Sequence, residues 1–217
     1  MHKSKKSSIF ALEKMYIAIA GNIGAGKTTL TKMLAKYYGW EPRFESVSFN
    51  PYLEDYYTDI NRWSFCVETY FLKERFKDML RIKEVEHTIV QDRSIFEGVY
   101  VFVTNNYMRG DLSERDYQTY MELFDHMKRM MKLPDLMIYI RSTIPNLIAQ
   151  ISKRGREYEQ SIRIDYLKGL NDRYEEWIKN YPGQVLIIDG DTCKFGDNPE
   201  DFRTVTEEID QRLYGLF

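Results

Sequence analysis

The residue types and spacing best suited to chemistry stand near the start of the chain, where residues 21–28 read G-x-x-x-x-G-K-T. The motif directly follows the apolar run 16–20 and precedes a helical pattern over 29–38. This strand–loop–helix order is the setting of a phosphate-binding loop, in which backbone N–H groups and a helix N-terminus face phosphate oxygens. The sequence therefore predicts a nucleoside triphosphate site.

The predicted loop assigns separate tasks to its residues. Lys27 is expected to reach the β- and γ-phosphates, and the Thr28 hydroxyl to ligate Mg²⁺. A glycine-rich turn that joins a strand to a helix without binding anything is the alternative, but all eight motif positions match in the right context. The predicted nucleotide-binding residues are Gly21, Asn22, Ile23, Gly24, Ala25, Gly26, Lys27, Thr28 and Thr29.

Carboxylates stand at the ends of two further predicted strands, where parallel α/β folds place their ligands. Glu45 ends the second strand, and its carboxylate is suited to accept a proton from an attacking hydroxyl; a solvated loop charge is the alternative. Asp92 ends the third strand and resembles a Mg²⁺-linked carboxylate. Beside it, Arg93 is suited to neutralise phosphate oxygens, and Ser94 to cap the following helix.

The stretch 153–159 is densely charged and holds two arginines around a glycine. Arg154 and Arg156 suit a mobile lid that closes over a triphosphate and stabilises charge on the transferred phosphoryl group. A solvated helix face is the usual interpretation of such a charge run. The phosphate-binding motif elsewhere in the chain favours the lid.

Short apolar runs alternate with amphipathic patterns, which predicts an α/β fold with a parallel sheet flanked by helices. The fold class expected is a P-loop NTPase-type five-stranded parallel sheet with an arginine-bearing lid. Residues 15–217 are predicted to form a single domain after a flexible tail, residues 1–14. The predicted strands cover about 15–20, 43–45, 88–92, 136–140 and 185–188. The predicted helices cover about 29–38, 61–85, 94–108, 113–132, 145–153 and 162–179.

Composition excludes several classes of protein. The formal net charge of the 217 residues is −2, so no overall basic field recruits nucleic acid. Cys66 and Cys193 lie far apart and lack ligand-spaced partners, which argues against a disulfide framework or a zinc site. No stretch reads as a signal peptide or reaches the ~18 apolar residues of a membrane span. We therefore expect a cytoplasmic protein with no membrane partner.

Together these clusters resemble the deoxyribonucleoside kinases, over nearly everything from Met15 to about residue 195. The likeness is greatest to the bacterial deoxyadenosine/deoxyguanosine kinase branch, on N-P-Y-L-E at 50–54, R-W-S-F at 62–65, Q-D-R-S at 91–94 and R-G-R-E-Y-E at 154–159. The resemblance implies ATP-dependent phosphorylation of a deoxynucleoside 5′-hydroxyl, with Mg²⁺, in a homodimer. Inhibition by an end-product triphosphate is a further expectation of this kind.

The resemblance also implies roles for individual residues. Glu45 matches the family's catalytic base, Arg93 contacts the 5′ end of the nucleoside, and Asp92 belongs to the Mg²⁺ network. Tyr57 and Glu159 match the pair that hydrogen-bonds the sugar 3′-hydroxyl. Further matches are the phosphate-clamping lid arginines Arg154 and Arg156, Trp63 beside the base pocket, and the donor-base loop from Asp191 to Phe195.

Base preference is predicted from Glu68 and Arg75, whose seven-residue spacing places them on one helix face. Most relatives carry glutamine in place of Glu68. An ionised carboxylate is acceptor-only and suits guanine's N1–H and amine, whereas adenine's N1 is itself an acceptor. The family's aspartate partner for Arg75 is replaced by Gly98, which is expected to enlarge the pocket and leave Glu68 to pair with Arg75. We predict deoxyguanosine first and deoxyadenosine second; a broad enzyme is the alternative.

Two rival functions remain open at this point. A nucleoside monophosphate kinase shares the phosphate loop and the lid, but it needs extra basic contacts for its acceptor's phosphate, and Tyr57 with Glu159 fits a neutral nucleoside better. A non-catalytic relative within a larger assembly is the second rival. Against it stands the intact set Lys27, Thr28, Glu45, Asp92 and Arg93.

Overall fold

The computed structural model describes residues 14–45, 50–156, 159 and 161–215. The predicted N-terminal tail, residues 1–14, lies outside the described residues except for Lys14. No helix among the described residues is both long and apolar enough to cross a bilayer.

Five parallel strands form one sheet, as the sequence predicts, but the second strand ends at Arg43, so Glu45 lies in the loop after it and not within the predicted strand 43–45. Their order across the sheet is β2-β3-β1-β4-β5. Every residue of β1 and β3 is buried, and so are all but the last of β4, which explains why these strands read as continuous apolar runs. The bounds are β1 (Tyr16–Gly21), β2 (Glu41–Arg43), β3 (Ile89–Asp92), β4 (Leu136–Arg141) and β5 (Val185–Asp189).

Helices cover both faces of the sheet. Their bounds are α1 (Lys27–Tyr38), α2 (Leu53–Thr58), α3 (Ile60–Glu84), α4 (Ile95–Glu97), a π-helical segment (Gly98–Val103), α5 (Thr104–Met108), α6 (Glu114–Lys128), α7 (Ile144–Arg154), α8 (Ile164–Lys179) and α9 (Pro199–Tyr214). The predicted helix 94–108 thus contains a π-helical turn, and the predicted helix 113–132 ends earlier, at Lys128. Neither α2 nor α9 is among the helices predicted from the sequence.

Alternate residues of β1 point into two separate cores. Ala18 and Ala20 face the core formed with α3, α6 and α8, whereas Ile17 and Ile19 face the core formed with α1 and α9. Because all five strands run in the same direction, their carboxyl ends meet at one edge of the sheet. The phosphate loop, Glu45 and Asp92 all follow strands at that edge.

Candidate active site

The phosphate loop has a backbone conformation that requires glycine at two positions. Gly24 and Gly26 have φ values of 88° and 94°, in the left-handed region that favours glycine. A Cβ at Gly24 would stand 2.8 Å from the carbonyl oxygen of Leu147 in α7. Lys27 folds over the loop, and its Nζ donates to the carbonyls of Gly21 (2.8 Å) and Asn22 (3.0 Å). Burial, and then the charge of Arg93, lower the pKa of Lys27 to about 8.

Thr28 and Asp92 come together, as predicted. The Thr28 hydroxyl donates to Asp92 Oδ2 at 2.5 Å. The other carboxylate oxygen, Oδ1, is buried and has no hydrogen-bond partner among the described residues. A hydroxyl beside a carboxylate with a free oxygen fits Mg²⁺, which takes few protein ligands and keeps water and substrate phosphates as the others. In the described part of the chain, no three acidic, histidine or cysteine residues cluster as a metal site.

A cavity of about 260 Å³ opens beside the phosphate loop. It lies between α3, the carboxyl end of β3 and the lid, so it collects most of the predicted side chains. The predicted residues that line it are Ile23, Gly24, Lys27, Thr28, Glu45, Tyr57, Glu68, Arg75, Asp92, Arg93, Arg154, Arg156 and Glu159.

Glu45 lies between two arginines in this cavity. Its Oε2 accepts from Arg93 Nε at 3.0 Å, and its Oε1 accepts from Arg75 Nη2. Burial opposes the charge on Glu45, but the charges of Arg93 and Arg75 outweigh it and lower the pKa of Glu45 to about 2. The carboxylate is therefore ionised throughout the physiological pH range.

Glu68 and Arg75 both face the cavity but do not pair with each other, contrary to the pairing anticipated from the sequence. Glu68 Oε1 instead accepts from Asn106 Nδ2 at 3.2 Å. Burial raises the pKa of Glu68 to about 7, against the lowering effect of Arg75. The carboxyl group, which was expected to be fully ionised, is thus divided between its charged and neutral forms near pH 7.

The expected enlargement of the pocket at Gly98 is also wrong. A Cβ at Gly98 would stand 2.2 Å from Arg75 Nη1, so the glycine makes room for the guanidinium of Arg75 and not for a ligand. Arg75 Nη1 and Nε are buried and have no hydrogen-bond partner among the described residues. These two N–H groups are enclosed by protein, and Nη2 donates to Glu45.

The lid arginines converge on Glu159, which is only 4% exposed. Arg154 Nε donates to Glu159 Oε2 at 2.9 Å, and Arg156 Nη1 donates to Glu159 Oε1 at 3.2 Å. Both arginines also line a second opening, together with Lys27 and Thr28. The lid thus lies against both the cavity and the phosphate loop.

Three predicted residues occupy other places. Trp63 does not line the cavity; it stacks on Tyr52, with ring centroids 5.7 Å apart. Asp191 accepts from the Thr143 backbone N–H and the Ser142 hydroxyl, so it fixes a turn after β4. Phe195 lines a smaller cavity, about 180 Å³, beside Gly24, Ala25, Gly26 and Thr29, where the donor base was expected.

Sequence analysis missed two buried polar residues that contact the predicted set. Asn106 holds Glu68, and nothing in its local pattern indicates this. Glu97 is fully buried and pairs with Arg93 at 2.9 Å. The four-residue spacing between Arg93 and Glu97 is a signal that was available.

Comparisons with known proteins agree on one family. A family model described as deoxynucleoside kinase matches residues 17–214. The chain is 42% identical over 167 residues to the deoxyadenosine/deoxycytidine kinase of Bacillus subtilis (76% of this chain, 77% of the relative). It is 32% identical over 203 residues to the deoxyguanosine kinase of the same organism (91% and 97%).

Solved structures give the same result. A structure of deoxyadenosine kinase from M. mycoides, with the products dCMP and a flexible dCDP bound, matches with a TM-score of 0.81 at 32% identity, covering 91% of this chain and 100% of the other. A structure of that kinase with bound dATP matches with a TM-score of 0.80, covering 90% and 100%.

Proposed function

The chain belongs to the deoxynucleoside kinase family, and from this premise we propose that it transfers a phosphoryl group from ATP to the 5′-hydroxyl of a purine deoxynucleoside. Deoxyguanosine is the preferred acceptor and deoxyadenosine the second, and the product is the 5′-monophosphate, for nucleotide salvage. The observation that carries the preference is one buried wall of the cavity, which is lined by the carboxyl group of Glu68 together with Arg75.

Guanine matches the Glu68 side of this wall. Its N1–H and exocyclic amine are donors, and an ionised Glu68 accepts from both. Adenine offers an acceptor at N1, which an ionised carboxylate repels. A buried group left unpaired by the wrong base costs about 1–3 kcal/mol, enough to discriminate between the two purines.

Phosphoryl transfer requires the protein to align the 5′-oxygen with the γ-phosphorus and to stabilise negative charge, more than to form covalent bonds itself. Glu45 orients the 5′-hydroxyl and receives its proton as the oxygen attacks the γ-phosphorus. Arg93 and Lys27 stabilise the negative charge on the transferred group, and the lid arginines Arg154 and Arg156 close over it. Thr28 and Asp92 would hold Mg²⁺, which would supply further positive charge near the phosphate oxygens. Tyr57 and Glu159 hold the sugar 3′-hydroxyl.

A monophosphate kinase is the main rival for this geometry. Its acceptor carries a phosphate that needs unpaired cations near Glu45, but Arg75 and Arg93 already donate to the Glu45 carboxylate. We therefore expect turnover of deoxyguanosine and none of deoxyguanosine monophosphate. The reverse result would favour the rival, and no turnover of either would favour a non-catalytic relative.

A second candidate acceptor preference, deoxyadenosine first, has its own support. The relative with 42% identity is a deoxyadenosine/deoxycytidine kinase. In addition, the pKa of Glu68, raised to about 7 by burial, allows a neutral carboxyl group that donates to adenine N1 and accepts from the adenine amine. The two candidates differ in the protonation state of one side chain.

Initial rates on the four deoxynucleosides test the proposal, with Glu68→Gln measured beside the parent. We expect deoxyguanosine to lead, and the substitution to move the ratio of kcat/KM values toward deoxyadenosine by about tenfold or more. Glu74→Gln is the matched control, because Glu74 lies on the same helix and pairs with Lys73 outside the cavity. A lead by a pyrimidine, or an unchanged ratio in Glu68→Gln, would contradict the account of the base pocket.

A further inference from the structure

One buried carboxylate, Glu97, lies beneath the phosphate loop and does not line the cavity. We propose that Glu97 is a positioning residue for phosphoryl transfer, which holds the Arg93 guanidinium and the first glycine of the loop in a single hydrogen-bonded unit. It touches neither the cavity nor the predicted path of the phosphoryl group. Its effect on catalysis therefore acts through Arg93.

One oxygen of Glu97 receives three hydrogen bonds. Oε1 accepts from Arg93 Nη1 at 2.9 Å, from the Gly21 backbone N–H at 3.3 Å and from the Tyr174 hydroxyl. The Tyr174 oxygen lies 2.8 Å from the Gly21 carbonyl and accepts from Arg93 Nη1 at 3.0 Å. The end of β1, the end of α4 and the middle of α8 are thereby joined at one point.

The backbone at Arg93 needs such support. Arg93 has a φ of 68° and is the one non-glycine residue with positive φ among those that the structure describes. A left-handed conformation costs an ordinary side chain about 1–2 kcal/mol and persists where the surroundings impose it. The guanidinium also packs on the ring of Phe102, with Arg93 Cζ 4.4 Å from the ring centroid. Phe102 belongs to the π-helical segment that begins directly after Glu97, a kind of turn frequent at functional sites.

Glu97 and Glu45 share the same guanidinium. Nη1 is bound to Glu97, so Arg93 presents Nε to Glu45. Without Glu97, the guanidinium keeps Tyr174 and Glu45 as partners but loses the buried carboxylate that fixes its plane, so Nε can move away from Glu45 Oε2. Glu97 thus fixes the orientation in which Arg93 holds Glu45.

Glu97→Gln tests this inference, because it keeps the size and one acceptor oxygen and removes the charge. We expect kcat to fall about tenfold or more while the KM for the deoxynucleoside changes by less than about threefold, since base and sugar contacts are untouched. Thermal unfolding and the fraction able to bind ATP confirm that the protein compared is folded. A kcat within about threefold of the parent, or a loss proportional to the unfolded fraction, overturns the inference.

Tyr174→Phe gives an independent measurement should Glu97→Gln fail to fold. It removes one hydrogen bond to the same oxygen, and we expect a kcat reduced about threefold to tenfold with an unchanged KM. The double variant should lose less than the product of the single losses, because both residues act through Arg93. Independent, multiplicative losses, or a change in KM alone, overturn the inference.

The inference rests on the proposed roles of Glu45 and Arg93. The variant Glu45→Gln distinguishes a failure of the inference from a failure of the proposed mechanism. If Glu45→Gln abolishes kcat and Glu97→Gln does not reduce it, only the role of Glu97 fails. If Glu45→Gln retains the parent's kcat, the proposed mechanism fails and the inference fails with it.

Discussion

At the scale of single residues, the environment of Lys27 destabilises its charged ammonium form. Burial, reinforced by the charge of Arg93, lowers its pKa to about 8, so the ammonium form dominates below pH 8 and the neutral amine above it. Because only the ammonium form attracts phosphate, we expect the Kd for ATP to be nearly constant from pH 7 to 8. Above pH 8 it should rise by up to about tenfold per pH unit. Calorimetric titration with ATP measures this, and a flat Kd up to pH 9.5 would contradict it.

Glu68 gives a second pH dependence, with the opposite consequence for the two purines. Burial raises its pKa to about 7, so the acceptor-only carboxylate loses population as pH falls. From pH 8 to 6 the ionised fraction falls about tenfold and the neutral fraction rises about tenfold. We expect the ratio of kcat/KM for deoxyguanosine over deoxyadenosine to fall by up to about a hundredfold over this range. In Glu68→Gln the ratio should not change with pH; an equal slope there would assign the effect to another group.

Site residues could be predicted from the sequence where they belong to one local motif, but not where their partners are distant in the chain. The phosphate loop is a local motif, so its spacing is enough to identify Lys27 and Thr28. The partner of Arg75 is thirty residues away, at Glu45, and no local pattern distinguishes it from Glu68. The space at Gly98 was likewise assigned to the ligand, because only the folded chain shows Arg75 in it.

At the scale of elements, the phosphate loop depends on its contact with α7. Gly24 and Gly39 both have positive φ, but a Cβ at Gly24 meets the Leu147 carbonyl oxygen at 2.8 Å, and one at Gly39 meets nothing within 4 Å. We expect both alanine variants to lose about 1 kcal/mol of stability from backbone strain. Gly24→Ala should in addition weaken ATP binding by about tenfold or more, since the loop must shift away from α7. Equal ATP affinities in the two variants would show that this contact does not shape the loop.

The regular elements were predictable where their patterns were simple. The strands β1, β3, β4 and β5 follow from apolar runs, and the long helix α3 from helical spacing. β2 contains no apolar run, and the sequence placed the second strand two residues late, at 43–45. The π-helical segment was not predictable, because its residues, Gly98–Val103, fit an ordinary buried helix in sequence. The unassigned helix α9 did carry a signal: Asn198 caps its N-terminus, and Phe202, Val205 and Ile209 recur at helical spacing. Short α2 lies in a polar, aromatic stretch with no clear period.

At the scale of the whole molecule, α3 and α6 leave apolar side chains uncovered. Leu80 of α3 and Leu123 of α6 are each 41% exposed, and Met130 is 47% exposed. Lys83 Nζ donates to the Met130 carbonyl at 3.1 Å, so the end of α3 lies beside the turn that follows α6. Leu80 and Leu123 are the exposed large apolar side chains of the two helices, and together with Met130 in the turn after α6 they form what is here called the α3–α6 surface.

We propose that the α3–α6 surface joins two copies of the chain, in agreement with the homodimer that the family resemblance implies. Light scattering should then give twice the chain's mass of 26.0 kDa at micromolar concentration. Leu123→Glu should give the monomer mass, because a charge buried without a partner costs more than the lost apolar contact. Ile164→Glu, which changes a side chain 62% exposed on α8, is the matched control and should stay dimeric. A monomeric parent would refute the dimer, whereas a dimeric Leu123→Glu would place the interface on another surface.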